Sequence, residues 1–494
     1  MNTPVLPGLS GGQIVELQHF IGGKSCASSD GETLQIFSPV SEQIIASSAR
    51  GTLDDVNLAV CAARAQFDGG PWRKLSGAQR GVLISKLADL VERDAEQLAD
   101  MDAGCIGRVP IEPRLLDLPN AIETLRHSAG WADKIEGRTI PTSGYMGQPS
   151  LSYTLREPVG VVAAIVPWNT PLMITCWKLG PLLAAGCTVV IKPSEETPLS
   201  ALRLAKLCQE AGIPDGVVNV VTGTGNVVGK ALCEHPGIDK VTFTGSPEVG
   251  REIQRTAGPL FKRISLELGG KSPQIIFDDA NLAAAAQGCA MGVFFNQGQI
   301  CAAGTRILVH RDIASQFAQM LAGAAKSVKV GNPLEEGVQM GPVAKKGQFE
   351  RVNRYIRQGI ADGATVLAGG ETQHQTGWFV QPTIFADANN DMSIAQDEIF
   401  GPVATVISFD DEEEAIRIAN HSRYGLAATV WTTDSARAHR VAGKLCAGAV
   451  GINCWAPIDA RLPWGGFKTS GLGRECGLSG VLSYTEEKVI TVLT

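Results

Sequence analysis

The sequence predicts an α/β protein with a parallel sheet covered by helices on both faces. Short aliphatic runs recur every 23 to 29 residues, beginning near Val161, Thr188, Val217, Lys240 and Arg263. Turn signals and helical patterns follow all but the last run. Near-continuous Val and Ile are typical of strands buried on both faces, and their alternation with helices indicates parallel pairing. Such sheets bind ligands beyond the carboxyl ends of their strands.

The flanking segments have patterns of their own. Residues 1–50 read as short strands and turns, and residues 53–129 as mostly helical. A second αβ series occupies 271–470, with a helix at 313–328 and strands at 306–309, 403–409, 426–431 and 449–453. The strand-like run 488–494 has no evident partner. It is therefore expected to join another sheet, either in this chain or in a second subunit.

Composition favours a soluble globular protein of two or three domains. Charged residues make up 19%, the net charge is −7, and the basic residues are scattered, so no nucleic-acid partner is expected. No apolar stretch has the ~20 residues that a membrane helix needs, and Met1–Pro4 lacks the basic start of a signal peptide. The 12 dispersed cysteines indicate reduced thiols and a cytoplasmic location. Without His-Glu-x-x-His or paired Cys-x-x-Cys, no metal site is expected.

The first chemical signal is Cys301, which ends the polar, glycine-broken run Phe295–Cys301. Glu267 lies on the opposite strand face from its aliphatic neighbours and precedes Gly269 and Gly270, which remove side chains close to it. A thiol and an isolated carboxylate predict covalent catalysis with a general base. Alternatively, Glu267 is a solvated edge residue.

Three further segments have a functional and a plain reading. Asn169, bracketed by Pro167 and Pro171, is suited to a fixed oxyanion donor or to an ordinary turn. Val190–Glu195 ends a buried strand with Lys and Glu, which can bind ribose hydroxyls or form a surface ion pair. Phe243–Gly250 opens a helix whose N–H groups can bind phosphate or are simply capped.

Familiar nucleotide motifs are absent. Gly223–Gly229 resembles the dinucleotide fingerprint, but its last glycine comes one residue late. Gly22–Ser25 and Gly269–Ser272 resemble the end of a P-loop, yet both lack the earlier glycine. A nucleoside triphosphatase is therefore disfavoured.

Five motifs together are similar to the aldehyde dehydrogenase superfamily in order and spacing, over nearly the whole chain from about residue 20. They are Pro167–Pro171, Glu267–Lys271, Gly298–Cys301, Glu398–Pro402 and Pro463–Lys468. The resemblance implies that Cys301 is the nucleophile, that Glu267 is the general base, and that Asn169 and the Cys301 N–H form the oxyanion hole. Glu267 favours the hydrolytic branch over the coenzyme-A-acylating one. Lys178 and Glu475 match positions of a proton relay in some relatives.

The same resemblance implies an NAD site. Lys192 and Glu195 match the adenosine ribose site, and Glu398 the nicotinamide ribose site with Phe400 nearby. The other matching positions are Ile165, Trp168, Gly225, Gly245, Ser246, Val249, Gly250 and Leu268. Because a carboxylate at Glu195 repels a 2′-phosphate, NAD is expected, with NADP used at lower efficiency.

The implied substrate is an apolar aldehyde: aliphatic, terpenoid or aromatic. No charge stands at the positions that match the tunnel, which are Thr170, Ile174, Trp177, Phe295, Ile300, Ala456, Ile458 and Trp464. An amino- or betaine-aldehyde is the alternative. Trp177 and Trp464 match the aromatic box of such relatives, but Thr170 and Phe295 replace a Tyr and a Trp, which disfavours a cationic substrate. The segment Asp102–Gly107 departs from the Asp-x-Gly-Lys-Pro of relatives, which is expected to bear on the tunnel entrance.

The implied fold has three parts: a Rossmann-like cofactor domain (1–140 and 159–268), an α/β catalytic domain (269–475) and a β oligomerisation arm (141–158 and 476–494). Inter-subunit addition of the C-terminal strand then predicts a homodimer or homotetramer. Two rival interpretations stay open: a catalytically retired ligand-binding relative and a cofactor-free cysteine esterase.

Overall fold

The structure, a computed structural model, describes residues 15–371 and 376–494. Residues 1–14, which begin the predicted cofactor domain and contain Met1–Pro4, lie outside the described residues. No helix of the described part is long and apolar enough to cross a membrane.

The strands follow in chain order. They are β1 (Val15–Leu17), β2 (His19–Ile21), β3 (Lys24–Cys26), β4 (Thr33–Phe37), β5 (Ile44–Ala49), β6 (Thr139–Ile140), β7 (Ser150–Pro158), β8 (Val161–Ile165), β9 (Thr188–Lys192), β10 (Val218–Val220), β11 (Lys240–Thr244), β12 (Arg263–Glu267), β13 (Pro273–Ile276), β14 (Arg306–His310), β15 (Thr365–Ala368), β16 (Thr383–Ala386), β17 (Val403–Phe409), β18 (Ala427–Trp431), β19 (Ala449–Ile452), β20 (Gly471–Leu472) and β21 (Thr485–Leu493).

The helices connect these strands. They are α1 (Leu53–Asp68), α2 (Pro71–Lys74), α3 (Gly77–Arg93), α4 (Ala95–Ile106), α5 (Leu118–Trp131), α6 (Pro171–Ala185), α7 (Leu199–Glu210), α8 (Lys230–Glu234), α9 (Pro247–Ala257), α10 (Leu282–Phe294), α11 (Arg311–Ser327), α12 (Lys346–Ala361), α13 (Ser393–Gln396), α14 (Glu412–Asn420), α15 (Ser435–Ala442) and α16 (Gly477–Leu482).

The first large sheet has the order β20-β12-β11-β8-β9-β10-β2-β3. Its five predicted strands, β8 to β12, run parallel, while β2, β3 and β20 pair antiparallel at its ends. Alternate side chains of β8 enter two different cores: Val162 and Ala164 join one with α3, α5, α6 and α7, whereas Val161 and Ala163 join the other with α1, α8 and α9. The predicted α/β class with helices on both faces is confirmed.

The second large sheet has the order β15-β16-β17-β14-β13-β18-β19 and is parallel except at β15. The four predicted strands of this series are present within one or two residues. β13 was not predicted, although it lies inside the sheet, between β14 and β18.

The C-terminal strand finds its partner within the same chain. β21 pairs antiparallel with β7 along its whole length, from Thr485 opposite Pro158 to Leu493 opposite Ser150, and β6 completes a three-stranded sheet. The run that seemed unpartnered in the sequence thus pairs with the strand of residues 150–158. Its addition to a second subunit stays a prediction, as does the division of the chain into two domains and an arm.

Candidate active site

The carboxyl ends of the first sheet open onto a cavity of about 1100 Å³. Cys301, Glu267 and Asn169, which lie far apart in the sequence, all line it. Two hydrophobic cores meet at this cavity: Phe243, Ile253 and Leu268 belong to one, and the partly exposed Cys301 packs on the other. The cavity therefore lies between two hydrophobic cores, and the Cys301 thiol lines it.

The Cys301 thiol is held in its neutral form. Burial, together with the nearby carboxylates of Glu398 and Glu267, raises its pKa to about 12. Since the thiolate is the nucleophile, the thiol needs a proton acceptor before it can react.

Glu267 ends β12 and is 5% exposed. Neither of its carboxylate oxygens has a hydrogen-bond partner among the described residues. The carboxylate faces Gly465, where a Cβ atom would lie 2.8 Å from Oε1, so this motif glycine leaves room for it. Burial raises the pKa of Glu267 well above its ordinary value; Glu475 adds to the rise and Lys178 opposes it. A buried carboxyl with free oxygens and a raised pKa is suited to general base work.

The predicted relay residues form a buried ion pair. Lys178 Nζ contacts Glu475 Oε1, and both side chains are at most 3% exposed. Thr242 Oγ1 donates to the same carboxylate oxygen over 3.2 Å. Glu475 Oε2 has no partner among the described residues. The opposite charges of this pair act on the pKa of Glu267 in opposite directions.

The Asn169 amide is fixed by the loop that precedes Cys301. Its Nδ2 donates to the Gln299 carbonyl over 2.9 Å, which engages one of its two N–H groups. The backbone carbonyl of Asn169 accepts from Asn296 Nδ2 over 2.9 Å. Asn169 follows β8 and lies next to the start of α6, as expected for a residue at the strand ends. One N–H of a buried, oriented amide is thus left for an oxyanion.

The other end of the cavity has a polar pair suited to ribose hydroxyls. Lys192 Nζ lies 3.1 Å from Glu195 Oε2, and the Gly225 N–H donates to Glu195 Oε1 over 2.8 Å. Burial opposes ionisation of Glu195, but Lys192 and the Gly225 N–H hold its pKa below its ordinary value. The Ser246 hydroxyl caps α9 by accepting from Val249 N. A preformed carboxylate and a helix N-terminus that line the same cavity fit the ribose and pyrophosphate of a dinucleotide.

Glu398 is a third carboxylate that lines the cavity. The Gly270 N–H donates to its Oε1 over 3.0 Å, and a Cβ atom on Gly269 would lie 2.0 Å from its Oε2. Gly269 is therefore required for this close approach. Burial raises the pKa of Glu398 to about 7. Phe400 contacts Trp168 edge to face, with ring centroids 5.3 Å apart.

Most predicted binding positions line the cavity. On the cofactor side they are Ile165, Trp168, Lys192, Glu195, Gly225, Gly245, Ser246, Val249, Leu268, Glu398 and Phe400. On the predicted aldehyde side they are Thr170, Ile174, Trp177, Ile300, Ile458 and Trp464.

Three predicted residues do not line the cavity. Gly250 lies behind Leu268, whose methyl groups would be 2.8 Å from an added Cβ atom. Phe295 contacts Trp455 in a tilted arrangement, with ring centroids 6.3 Å apart and an interplanar angle of 56°. Ala456 is buried, and Trp455 lines the cavity beside it. Positive φ angles at Asn453 (53°) and Ala456 (38°) redirect the chain after β19, which periodicity does not predict.

Sequence reasoning also missed lining residues on α12 and around it. Lys345 Nζ lies 5.7 Å from the Trp168 ring centroid, and Gln348 Nε2 donates to the Phe400 carbonyl over 2.6 Å. On the aldehyde side, Leu116 and Met173 were missed as well. The segment Asp102–Gly107 itself does not line the cavity. Within the described ranges, no group of three or more His, Cys, Asp or Glu side chains is arranged for a metal ion.

Known proteins are similar to this chain along nearly its whole length. The model of the aldehyde dehydrogenase family matches residues 26–490. An aldehyde dehydrogenase of Emericella nidulans is 48% identical, covering 95% of this chain and 94% of its own. The NAD+ complex of an aldehyde dehydrogenase from Bacillus cereus is 46% identical, with a TM-score of 0.95 over 97% of this chain and 96% of that one. A betaine aldehyde dehydrogenase from Staphylococcus aureus in complex with NAD+ is 38% identical, with a TM-score of 0.94 over 97% and 95% of the two chains.

Proposed function

Because this chain belongs to the aldehyde dehydrogenase family, we propose that it oxidises an apolar aldehyde to the carboxylic acid by covalent catalysis at Cys301. The protein is an NAD-dependent aldehyde oxidoreductase of the aldehyde dehydrogenase fold. The observation that carries the proposed mechanism is the convergence of Cys301, Glu267 and Asn169 on one cavity.

The cofactor end fits NAD. The Lys192–Glu195 pair would hold the adenosine ribose, the start of α9 the pyrophosphate, and Glu398 the nicotinamide ribose. Gly250 would act by allowing the position of Leu268. Bound NAD supplies the hydride acceptor. An ionised Glu195 repels a 2′-phosphate, which supports NAD over NADP.

The chain's own groups would carry the remaining steps. The Cys301 thiol first releases its proton to solvent, and the thiolate sulfur then adds to the aldehyde carbon. The Asn169 amide and the Cys301 N–H stabilise the resulting oxyanion. Loss of hydride from that carbon leaves a thioester on Cys301. Glu267 then takes a proton from water, the hydroxide adds to the thioester carbon, and the acid leaves as the sulfur departs.

An apolar substrate is supported by the walls beside Cys301. Ile174, Trp177, Ile300, Ile458 and Trp464 line this end. Two of the three indoles on this side have their donors engaged inside the protein: Trp177 Nε1 donates to Asn120 Oδ1 over 2.6 Å, and Trp455 Nε1 to the Ala302 carbonyl over 3.1 Å. The walls therefore offer mainly rings and alkyl groups.

A betaine or amino aldehyde is the second candidate. Trp177 and Trp464 pack edge to face with centroids 6.0 Å apart, and Trp455 adds a third indole to the lining. Indole faces attract cations, and one solved relative is named a betaine aldehyde dehydrogenase.

The test follows NADH absorbance with aliphatic, terpenoid, aromatic and betaine aldehydes. We expect kcat/KM for the apolar aldehydes to exceed that for betaine aldehyde by at least about tenfold, the value of roughly 1.4 kcal/mol of differential binding. The reverse order would establish the second candidate. Cys301→Ala should abolish turnover, and Glu267→Gln should keep the first hydride burst while slowing hydrolysis. Turnover without NAD would instead support the esterase interpretation.

We further propose a cytoplasmic enzyme that forms a homodimer or homotetramer through the arm. All 12 cysteines are free thiols, as is typical of a reducing compartment. The arm sheet exposes apolar side chains, among them Leu155, Val489 and Val492. Light scattering during size-exclusion chromatography tests the assembly, and a monomer would refute it.

A further inference from the structure

A cluster of buried charges supports the loop that precedes Cys301. Arg108 is fully buried, and its guanidinium is shared by two carboxylates. Its Nε donates to Glu112 Oε2 over 3.1 Å, and its Nη1 donates to Asp117 Oδ2 over 2.6 Å. Burying three ionised side chains costs free energy unless they form ion pairs with each other and hydrogen bonds with their neighbours.

Glu112 alone of the two carboxylates reaches the active-site loop. Its second oxygen, Oε1, accepts from the Asn296 backbone N–H over 3.1 Å. The hydrogen bonds of Asp117 go to Arg108. The Arg108 guanidinium also lies 5.2 Å from the centroid of Phe295, the residue before Asn296.

The turn that Glu112 holds has an unfavourable backbone. Asn296 and Gln297 both adopt left-handed angles, with φ of 50° and 54°. Such angles are uncommon for residues other than glycine and persist only where surrounding contacts impose them. The bond to Glu112 also satisfies an N–H of Asn296, a residue with no exposed surface.

The residues of this turn also hold Asn169 in place. Asn296 Nδ2 donates to the Asn169 carbonyl over 2.9 Å, and the Gln299 carbonyl accepts from Asn169 Nδ2 over 2.9 Å. Displacing the turn therefore moves both the backbone and the side chain of the residue assigned to the oxyanion.

We propose that Glu112 is a positioning residue for the oxyanion site: through its bond to Asn296 N–H it fixes the left-handed turn that orients the Asn169 amide. This inference rests on the proposed function. It identifies a carboxylate that does not itself line the cavity and that acts through the Asn296–Gln297 turn, which does not line the cavity either.

The test uses two matched variants. Glu112→Ala and Asp117→Ala each remove one carboxylate from Arg108, but only the first releases Asn296. We expect both variants to lower thermal stability. The rate of the hydride burst should fall about tenfold in Glu112→Ala and less than about threefold in Asp117→Ala, because small misplacements at a reacting centre have large effects on the rate. Glu112→Gln keeps an acceptor oxygen and should restore the burst to within about threefold of wild type, with the affinity for NAD unchanged. Equal losses in the two alanine variants, or no rescue by glutamine, would overturn the proposal.

A double-variant comparison separates positioning from general damage. If Glu112 acts through Asn169, adding Glu112→Ala to Asn169→Ala should change the residual burst by less than about twofold. A further tenfold loss would contradict the proposed route.

Hydrogen exchange tests the tether without turnover, so its result stands even if the proposed reaction is wrong. Peptides covering residues 292–301 should exchange faster in Glu112→Ala than in Asp117→Ala or Glu112→Gln. Unchanged exchange in Glu112→Ala would reject the tether, whereas an absence of aldehyde oxidation by wild type would reject the proposed function alone.

Discussion

Removing either partner of the Lys178–Glu475 pair should shift the pH dependence of thioester hydrolysis, and in opposite directions. Glu475 raises the pKa of Glu267 and Lys178 lowers it. Lys178→Met should therefore raise the pKa of Glu267 further, and Glu475→Gln should lower it. Glu267 acts as a base only when ionised, so hydrolysis rises with pH through this pKa. The rise should move to higher pH in Lys178→Met and to lower pH in Glu475→Gln.

The same variants have a predictable effect on stability. Both side chains are at most 3% exposed, so a single substitution leaves a buried charge without its partner. Breaking such a pair costs about 3–5 kcal/mol of unfolding free energy, whereas replacing both members with apolar groups is often neutral. Lys178→Met/Glu475→Leu should therefore regain most of the stability that either single variant loses.

Single-turnover kinetics measure the first effect. The burst of NADH reports hydride transfer, and the later release of acid reports hydrolysis, from pH 5.5 to 9.5. Urea midpoints of the same proteins give the stability. Shifts of the hydrolysis profile in the same direction for both single variants would refute the electrostatic reasoning, and unchanged profiles would show that Glu267 is not the base.

Two further predictions concern the cofactor end. Burial raises the pKa of Glu398 to about 7. Because ribose hydroxyls favour the ionised carboxylate, the affinity for NAD should rise by up to about tenfold from pH 6 to pH 8, and binding should release a proton. Calorimetry in buffers of different ionisation enthalpy measures the affinity and the proton release, and in Glu398→Gln the affinity should not depend on pH over this range. Glu195→Gln removes the charge that opposes a 2′-phosphate, so the ratio of kcat/KM for NADP to that for NAD should increase at least about tenfold; an unchanged ratio would place the discrimination elsewhere.

The sequence predicts the parallel strands well because strands buried on both faces are continuous aliphatic runs, as at Val161–Ile165. It misses Pro273–Ile276 because this central strand has four residues, starts with proline and follows a loop-like Gly-Gly-Lys-Ser. Such a short run gains its place from neighbours on both sides rather than from its own pattern.

The limits of prediction at the site have the same origin. Arg108, Glu112 and Asp117 have the spacing of charges on an exposed helix, and only the tertiary structure buries them beneath the loop of Cys301. Trp455, rather than the predicted Ala456, lines the cavity after a turn with two positive φ angles. Residue types other than glycine give no sequence signal for such angles. Individual motifs located the chemistry, whereas contacts between distant segments determine its geometry.

The pairing of β12 with β20 has a consequence for biosynthesis. Glu267 sits opposite Gly471, so the outer edge of the strand that ends in this carboxylate gains its neighbour only from a segment about 200 residues further along the chain. While the ribosome is still adding the C-terminal region, that edge stays unprotected and able to pair with other chains. A nascent protein of this kind acquires its reactive centre last, and an early stop codon would yield an aggregation-prone product without a completed one.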